Sequence, residues 1–167
     1  SAASDVYKRQ GMDRNNLLEK AKLTVDEVDW KPDWGQARMK GMLEDRPDWC
    51  ISRQRTWGVP IPLILNKETS ELHPDMQNLI EKIALKIDEQ GLNAWYSMEL
   101  SELIEDHEDY EKIDDCLDVW FDSGVSHSCV LNHFEDLQFP ADVYLEGSDQ
   151  HRGWFQSALL TSVAMYE

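Results

Sequence analysis

Ala141-Asp-Val-Tyr-Leu-Glu-Gly-Ser-Asp-Gln-His-Arg-Gly-Trp-Phe155 is the stretch on which the fold turns. Ala141 to Leu145 reads as a strand. Glu146-Gly147-Ser148 forms a tight turn, and a helix is expected from about Asp149. Trp154, Phe155, Ala158, Leu159 and Val163 then share one face of that helix. Upstream the pattern recurs. Leu117 to Phe121 reads as a strand, Asp122-Ser123-Gly124 as a turn, and Ser126 to Leu131 as a short helix. Strand, glycine-containing turn and helix, used twice, predict an α/β fold built on a parallel sheet.

In such a sheet, ligands bind beyond the carboxyl ends of the strands, beside the helix N-termini. Glu146, Asp149, Gln150, His151 and Arg152 are five polar groups within seven residues at that place. Each has a plainer reading. Asp149 or Ser148 would cap the helix, Gly147 would serve the turn, and His151 and Arg152 would lie on a solvated face. The clustering favours a site over five coincidences. Carboxylates there suit a cationic amine and ribose hydroxyls, not phosphates, and neither a glycine-rich phosphate loop nor a Walker lysine occurs.

Working outward, Pro32 opens a predicted helix that runs to about Glu44, with Ala37, Met39 and Met42 buried and Pro47 as its stop. Before it, Leu23–Val28 is a candidate strand. Val59 to Leu65 reads as a short buried strand whose prolines sit near its start. Asn66 to His73 is turn-like. Pro74 begins an amphipathic helix with Leu79, Ile80, Ile83 and Ile87 in one stripe, ended by Gly91. A second short helix is expected near Leu100–Ile104, which makes 67–115 a mainly helical insertion.

The 167 residues carry a net charge of −17, densest from Glu99 to Asp118. Phosphate neutralisation dominates nucleic-acid affinity, so this stretch is not expected to be a main RNA-docking surface. The three cysteines form no Cys-x-x-Cys pair, which argues against a zinc knuckle and for a reducing cytoplasm. No apolar run approaches the ~18 residues needed to span a bilayer. Ser1 to Gln10 resembles a translated sequencing adapter and is expected to be non-native and without fixed structure. Tyr166-Glu167 falls inside a helical pattern without a stop signal, so both ends are expected to be cut from a longer chain.

Three segments carry a family resemblance. Arg46-Pro-Asp-Trp-Cys-Ile-Ser-Arg-Gln-Arg-Thr-Trp-Gly-Val-Pro-Ile-Pro62 resembles the segment by which class I isoleucyl-, valyl- and leucyl-tRNA synthetases re-enter their catalytic domain after the editing insertion. Leu117–His127 and Tyr144–Phe155 look like the isoleucyl branch. The likeness extends through Trp30–Arg38 and covers nearly all of Gly11 to Glu167.

The resemblance implies the second half of a Rossmann-like parallel-sheet catalytic domain with a helical insertion. It divides the chain into 11–45, returning from the editing insertion; 46–66, a catalytic-domain strand region; 67–115, the acidic connective insertion; and 116–167, the segment bearing the adenylate-site motifs. It implies that isoleucine is activated with ATP, accompanied by magnesium, and then transferred to tRNA(Ile). Glu146, Gly147, Asp149 and Gln150 would hold the aminoacyl-adenylate, with Trp154 and Trp120 walling the isoleucine side chain. No side chain would act as nucleophile or base, since the substrate's own carboxylate attacks. The ATP-gripping His-Ile-Gly-His and Lys-Met-Ser-Lys-Ser motifs do not occur here, and Asn66–His73 lacks the cysteines of a zinc knuckle. The expectation is a stretch inactive by itself and without a metal. A valyl or leucyl sibling and a non-catalytic α/β nucleotide-binding module are the competing readings.

Overall fold

The computed structural model describes residues 9–166. In chain order the elements are β1 (Arg9–Gly11), α1 (Leu17–Glu27), α2 (Trp34–Glu44), β2 (Asp48–Cys50), β3 (Ser52–Arg53) and β4 (Ile64–Asn66). They continue with α3 (Met76–Gln90), α4 (Asn93–Ser97), β5 (Tyr110–Lys112), β6 (Cys116–Leu117), α5 (Val119–Gly124) and α6 (Trp154–Tyr166). A π turn covers His127–Leu131, and a 3₁₀ turn covers Ser148–Arg152. The chain divides into two compact units. One is Ser52–Leu117; the other joins Arg9–Ile51 to the segment from Asp118 onward.

In the discontinuous unit, α1 and α2 pack with α6 around Met12, Ala21, Val25, Met39, Leu43, Trp49, Leu160 and Val163. The expected strand at Leu23–Val28 is instead the end of α1. Leu17, Leu18, Ala21 and Val25 recur at helical spacing and meet this core, while Leu23 points outward at 66% exposure. Helical periodicity overrode the local β-propensity of Thr24-Val25. In α2 the buried positions are Gly35, Met39 and Leu43; Ala37 is exposed and Met42 half-buried. The expected stripe was therefore rotated by part of a turn. Arg9 and Gln10 pair antiparallel with Cys50 and Trp49, so those two residues do have a fixed place. The rest of the Ser1–Gln10 expectation lies outside the described residues.

Two expected strands take other forms. At Leu117–Phe121 only Cys116–Leu117 is strand, and α5 begins at Val119. The reason is Asp118, whose carboxylate accepts from the Trp120 backbone N–H at 3.3 Å and caps the helix against the β-propensity of Val-Trp-Phe. Ala141–Leu145 belongs to no ladder among the described residues, and Val143 and Leu145 are 76% and 85% exposed. Strand propensity is local, but a strand's N–H and C=O groups need a partner. All three described ladders are antiparallel pairs: β1 with β2, β3 with β6, β4 with β5. The expected parallel sheet is not formed by these strands.

The Ser52–Leu117 unit is wider than the expected 67–115 and has its own core of Ile64, Met76, Leu79, Ile83, Trp95, Met98 and Ile104. The expected α3 stripe is present at Leu79 and Ile83, with Met76 added and Ile80 turned toward solvent. Gly91, at φ +82, ends the helix where a side chain would be strained. The buried strand expected over Val59–Leu65 is confined to its end as β4, preceded by a bridge from Pro60 to Cys116. The turn at Asn66 is held by its side-chain oxygen, which accepts from the Glu68 and Thr69 N–H groups at 3.0 Å each.

In this acidic unit the Lys112 ammonium lies 5.0 Å from the Trp95 ring and donates to the Trp95 and Met98 carbonyls at 2.7 and 2.5 Å. It closes the C-terminal end of α4, where carbonyls lack helical partners. Lys112→Met keeps the stem and removes the donors. About 1.5–3 kcal/mol of stability should be lost, the range for hydrogen bonds to a charged group. A melting temperature unchanged in the variant would show that water serves those carbonyls equally well.

Candidate functional site

The turn that carries Glu146 to Gly153 lies in the discontinuous unit, between the segment of exposed Val143 and Leu145 and α6. Its side chains bond mostly to one another. The Glu146 carboxylate accepts from the Gly147 N–H at 3.3 Å. Asp149 accepts from the Gln150 amide nitrogen at 2.9 Å. The Gln150 amide oxygen accepts from the Trp154 N–H at 2.9 Å and so caps α6. Glu146 and Asp149 remain solvent-facing, while Gln150 is half-buried.

Gly153 is where Trp120 and Gln150 meet. A Cβ there would lie 2.5 Å from the Gln150 amide oxygen and 3.1 Å from the edge of the Trp120 ring. Trp120 and Gln150 therefore converge where only glycine fits. Trp154 is half-buried, stacked on Tyr144 at 4.7 Å and 26°, and its indole N–H donates to the Ser123 carbonyl at 2.9 Å. One edge of Trp154 is thus a packing element. Trp120, Gln150 and Trp154 are brought together. The contacts of Glu146 and Asp149 stay within the turn.

Sequence reasoning missed the environment of His151. It is not on a solvated face but 5% exposed, stacked on Trp30 at 5.7 Å and tilted against Trp34 at 5.9 Å. Trp30 and Trp34 gave no local signal for this, because the contact joins the start of α2 and the residues before it to a turn over a hundred residues away. Asp118 was also missed. It is buried, and beyond capping α5 it accepts from the Trp49 indole N–H at 2.9 Å. Arg46 stacks over that same Trp49 ring at 4.6 Å and bonds Gln156. Burial lowers the Arg46 pKa, and the Asp118 charge partly opposes this. Asp122 is pushed up from the usual carboxylate value by burial first and by Asp118 second.

His127 lies behind the site, with its Nε2–H donating to the Thr161 hydroxyl at 3.1 Å and its Nδ1 buried without a partner among the described residues. Burial lowers its pKa below the ordinary value. The folded state therefore resists protonation. Stability is full above the ordinary histidine pKa of about 6.5 and declines as pH falls below it, because the unfolded chain takes the proton first. His127→Gln, which keeps an amide N–H near Nε2, should flatten the loss of melting temperature below that pH. Parallel curves for the two proteins would show that His127 is not responsible.

Two surface concavities occur in the Ser52–Leu117 unit, one of about 130 Å³ bounded by Trp57, Gly58 and Tyr96, the other about 320 Å³ and mostly apolar around Val59, Pro62, Ile80 and Ile87. Neither includes a residue of the Glu146–Trp154 turn. Convergent polar chemistry, not depth, marks the turn. Among the described residues no three His, Cys, Asp or Glu side chains gather to hold a metal, and no helix is long and apolar enough to cross a membrane.

Comparison with known proteins places these features. Residues 11–167 match the family of class I tRNA synthetases (I, L, M and V). The chain is 61% identical over 155 residues to an isoleucine–tRNA ligase of Alcanivorax borkumensis, covering 92% of this chain and 16% of that protein. It is 58% identical over 156 residues to the isoleucine–tRNA ligase of Legionella pneumophila strain Lens, covering 93% and 17%. The Methylococcus capsulatus isoleucine–tRNA ligase is 61% identical over 155 residues, covering 92% and 16%. The chain thus spans about one sixth of the length of these relatives. Its helices and short strands, its motif-bearing turn and a family match from Gly11 to Glu167 agree: the chain belongs to the class I tRNA synthetases of the isoleucine, leucine, methionine and valine group, an α/β family.

Proposed function

We propose that this chain supplies part of the amino-acid activation site of an isoleucine–tRNA ligase. The observation that carries the reading is the 61% identity to proteins of that name across the whole motif-bearing stretch. In the complete enzyme the isoleucine carboxylate attacks the α-phosphorus of ATP. The bond to the β-phosphate oxygen breaks, pyrophosphate leaves, and isoleucyl-adenylate remains. A hydroxyl at the 3′ end of tRNA(Ile) then attacks the acyl carbon, and AMP leaves. Positioning and charge stabilisation carry such a reaction, without a protein nucleophile.

Glu146 and Asp149 present carboxylates to solvent, suited to ribose hydroxyls and the substrate ammonium, with Gly147 and Gln150 beside them. Trp120 and Trp154 would flank the isoleucine side chain; the Trp120 ring edge lies beside Gln150 at Gly153, and the Trp154 indole bonds Ser123 of α5, the helix that carries Trp120, which supports this. Magnesium accompanies ATP in this chemistry, and among the described residues no cluster of three or more His, Cys, Asp or Glu side chains gathers to hold it. The main tRNA-docking surface is assigned elsewhere in the longer enzyme, given the net charge of −17, and the reaction is assigned to the cytoplasm. We also propose that Ala141–Leu145 is a strand of a Rossmann-like parallel sheet completed by other parts of that enzyme. The apolar Val143 and Leu145 side chains, exposed and without a ladder, support this. The boundaries 11–45, 46–66, 67–115 and 116–167 stand as the proposed division of the catalytic region.

The test is a chimera in which residues 11–167 replace the matching segment of the Alcanivorax borkumensis relative. It should exchange pyrophosphate into ATP when isoleucine is added, while the 167-residue chain alone stays at background. A folded chimera without exchange would overturn the reading, as would exchange by the isolated chain overturn its dependence on the missing ATP-gripping motifs.

A further inference from the structure

We propose that His151 is a positioning residue of the adenylate site, fixing the turn that presents Asp149 and Gln150; the proposal rests on the function proposed above. Carbonyl oxygens only accept, so the 2.8 Å contact between the His151 ring and the Ser148 carbonyl requires Nδ1 to carry hydrogen and donate. That bond closes the 3₁₀ turn Ser148–Arg152 from within, spanning the two residues assigned to the ligand. The ring is in turn held from outside the turn. Trp30 stacks on it at 24°, Trp34 lies against it at 30°, and Phe155 meets it edge-on at 5.7 Å. On the α2 side a Cβ added at Gly35 would come within 3.2 Å of Nε2. Nε2 itself is buried and has no partner among the described residues.

A buried ring nitrogen left unpaired is costly. Packing alone would be served better by phenylalanine. The imidazole therefore contributes through the single bond from Nδ1, and that bond acts on the geometry of Asp149 and Gln150. Trp30 and Trp34 belong to the 11–45 segment, so the side chains of this segment meet the adenylate turn at His151.

Asparagine places an amide N–H where Nδ1 lies, glutamine places one where Nε2 lies, and phenylalanine keeps the ring without a donor. In the chimera described above, His151→Gln and His151→Phe should lose about tenfold or more in kcat/KM for isoleucine-dependent exchange. His151→Asn should recover to within about threefold of the parent. The loss should appear mainly in the KM for isoleucine, with melting temperatures of the three variants clustered together. Equal activities for the Asn and Gln variants would overturn the proposal, as would losses that follow melting temperature instead of donor position. Should the Phe variant not accumulate, the Asn–Gln contrast decides alone. An inactive parent chimera would count against the functional reading, and is seen before any variant is made.

Discussion

Trp154→Ala, in a chimera active toward isoleucine, should lower the ratio of isoleucine to valine activation efficiency about tenfold or more. Isoleucyl-tRNA synthetase is itself the standard worked case of this discrimination, at roughly 150-fold for one methylene. At about 1.4 kcal/mol per factor of ten, that is about 3 kcal/mol. A pocket wall and a packing residue differ in how their loss is felt. Trp154 is half-buried, stacks on Tyr144 and bonds Ser123, so truncation should also lower the melting temperature. That loss affects both amino acids alike. Only a wall against the side chain changes the ratio, because it acts on the difference between substrates. The measurement is pyrophosphate exchange with each amino acid on folded variant. An unchanged ratio with both activities reduced would make Trp154 a packing residue alone.

Gly124→Val should cost about 1–3 kcal/mol, the range in which forced overpacking and backbone displacement fall. A Cβ at this position would lie 3.1 Å from the Ser157 carbonyl carbon, carbonyl oxygen and Cβ. These are backbone and near-backbone atoms of α6 and cannot swing away. The closeness is used: the Thr161 hydroxyl donates to the Gly124 carbonyl at 2.8 Å, across the α5–α6 contact. Valine would push α5 outward, break that bond and disturb His127, whose Nε2–H rests on the same hydroxyl. Thermal unfolding of Gly124→Ala and Gly124→Val reads this directly. A graded drop, larger for valine, is expected. Two variants as stable as the parent would mean that α6 yields more easily than its buried residues suggest.

The elements legible in the sequence were those whose signal is local. Leu79 and Ile83 of α3 recur at helical spacing and end on a glycine, so both the helix and its stop could be read. The polar cluster at Glu146–Arg152 was legible because five such groups follow one apolar run. What failed depended on distant partners. Ala141–Leu145 has strand composition, yet pairing requires another strand, and none of the described ones supplies it. At Leu117–Phe121 a single carboxylate, Asp118, turned apolar residues into a capped helix. A solvated face stayed open as the plainer reading of His151, because nothing adjacent in sequence tells that Trp30 and Trp34 enclose it. The site's composition could be read locally, whereas the support beneath it could not.

On the proposed function, residues 11–167 form part of an isoleucine-activating site. The most direct measurement is exchange of pyrophosphate by the chimera with isoleucine, valine and leucine side by side. kcat/KM should be highest for isoleucine, about two orders of magnitude above valine, as one methylene allows. A folded chimera that prefers valine or leucine, or that exchanges with none of the three, would contradict it.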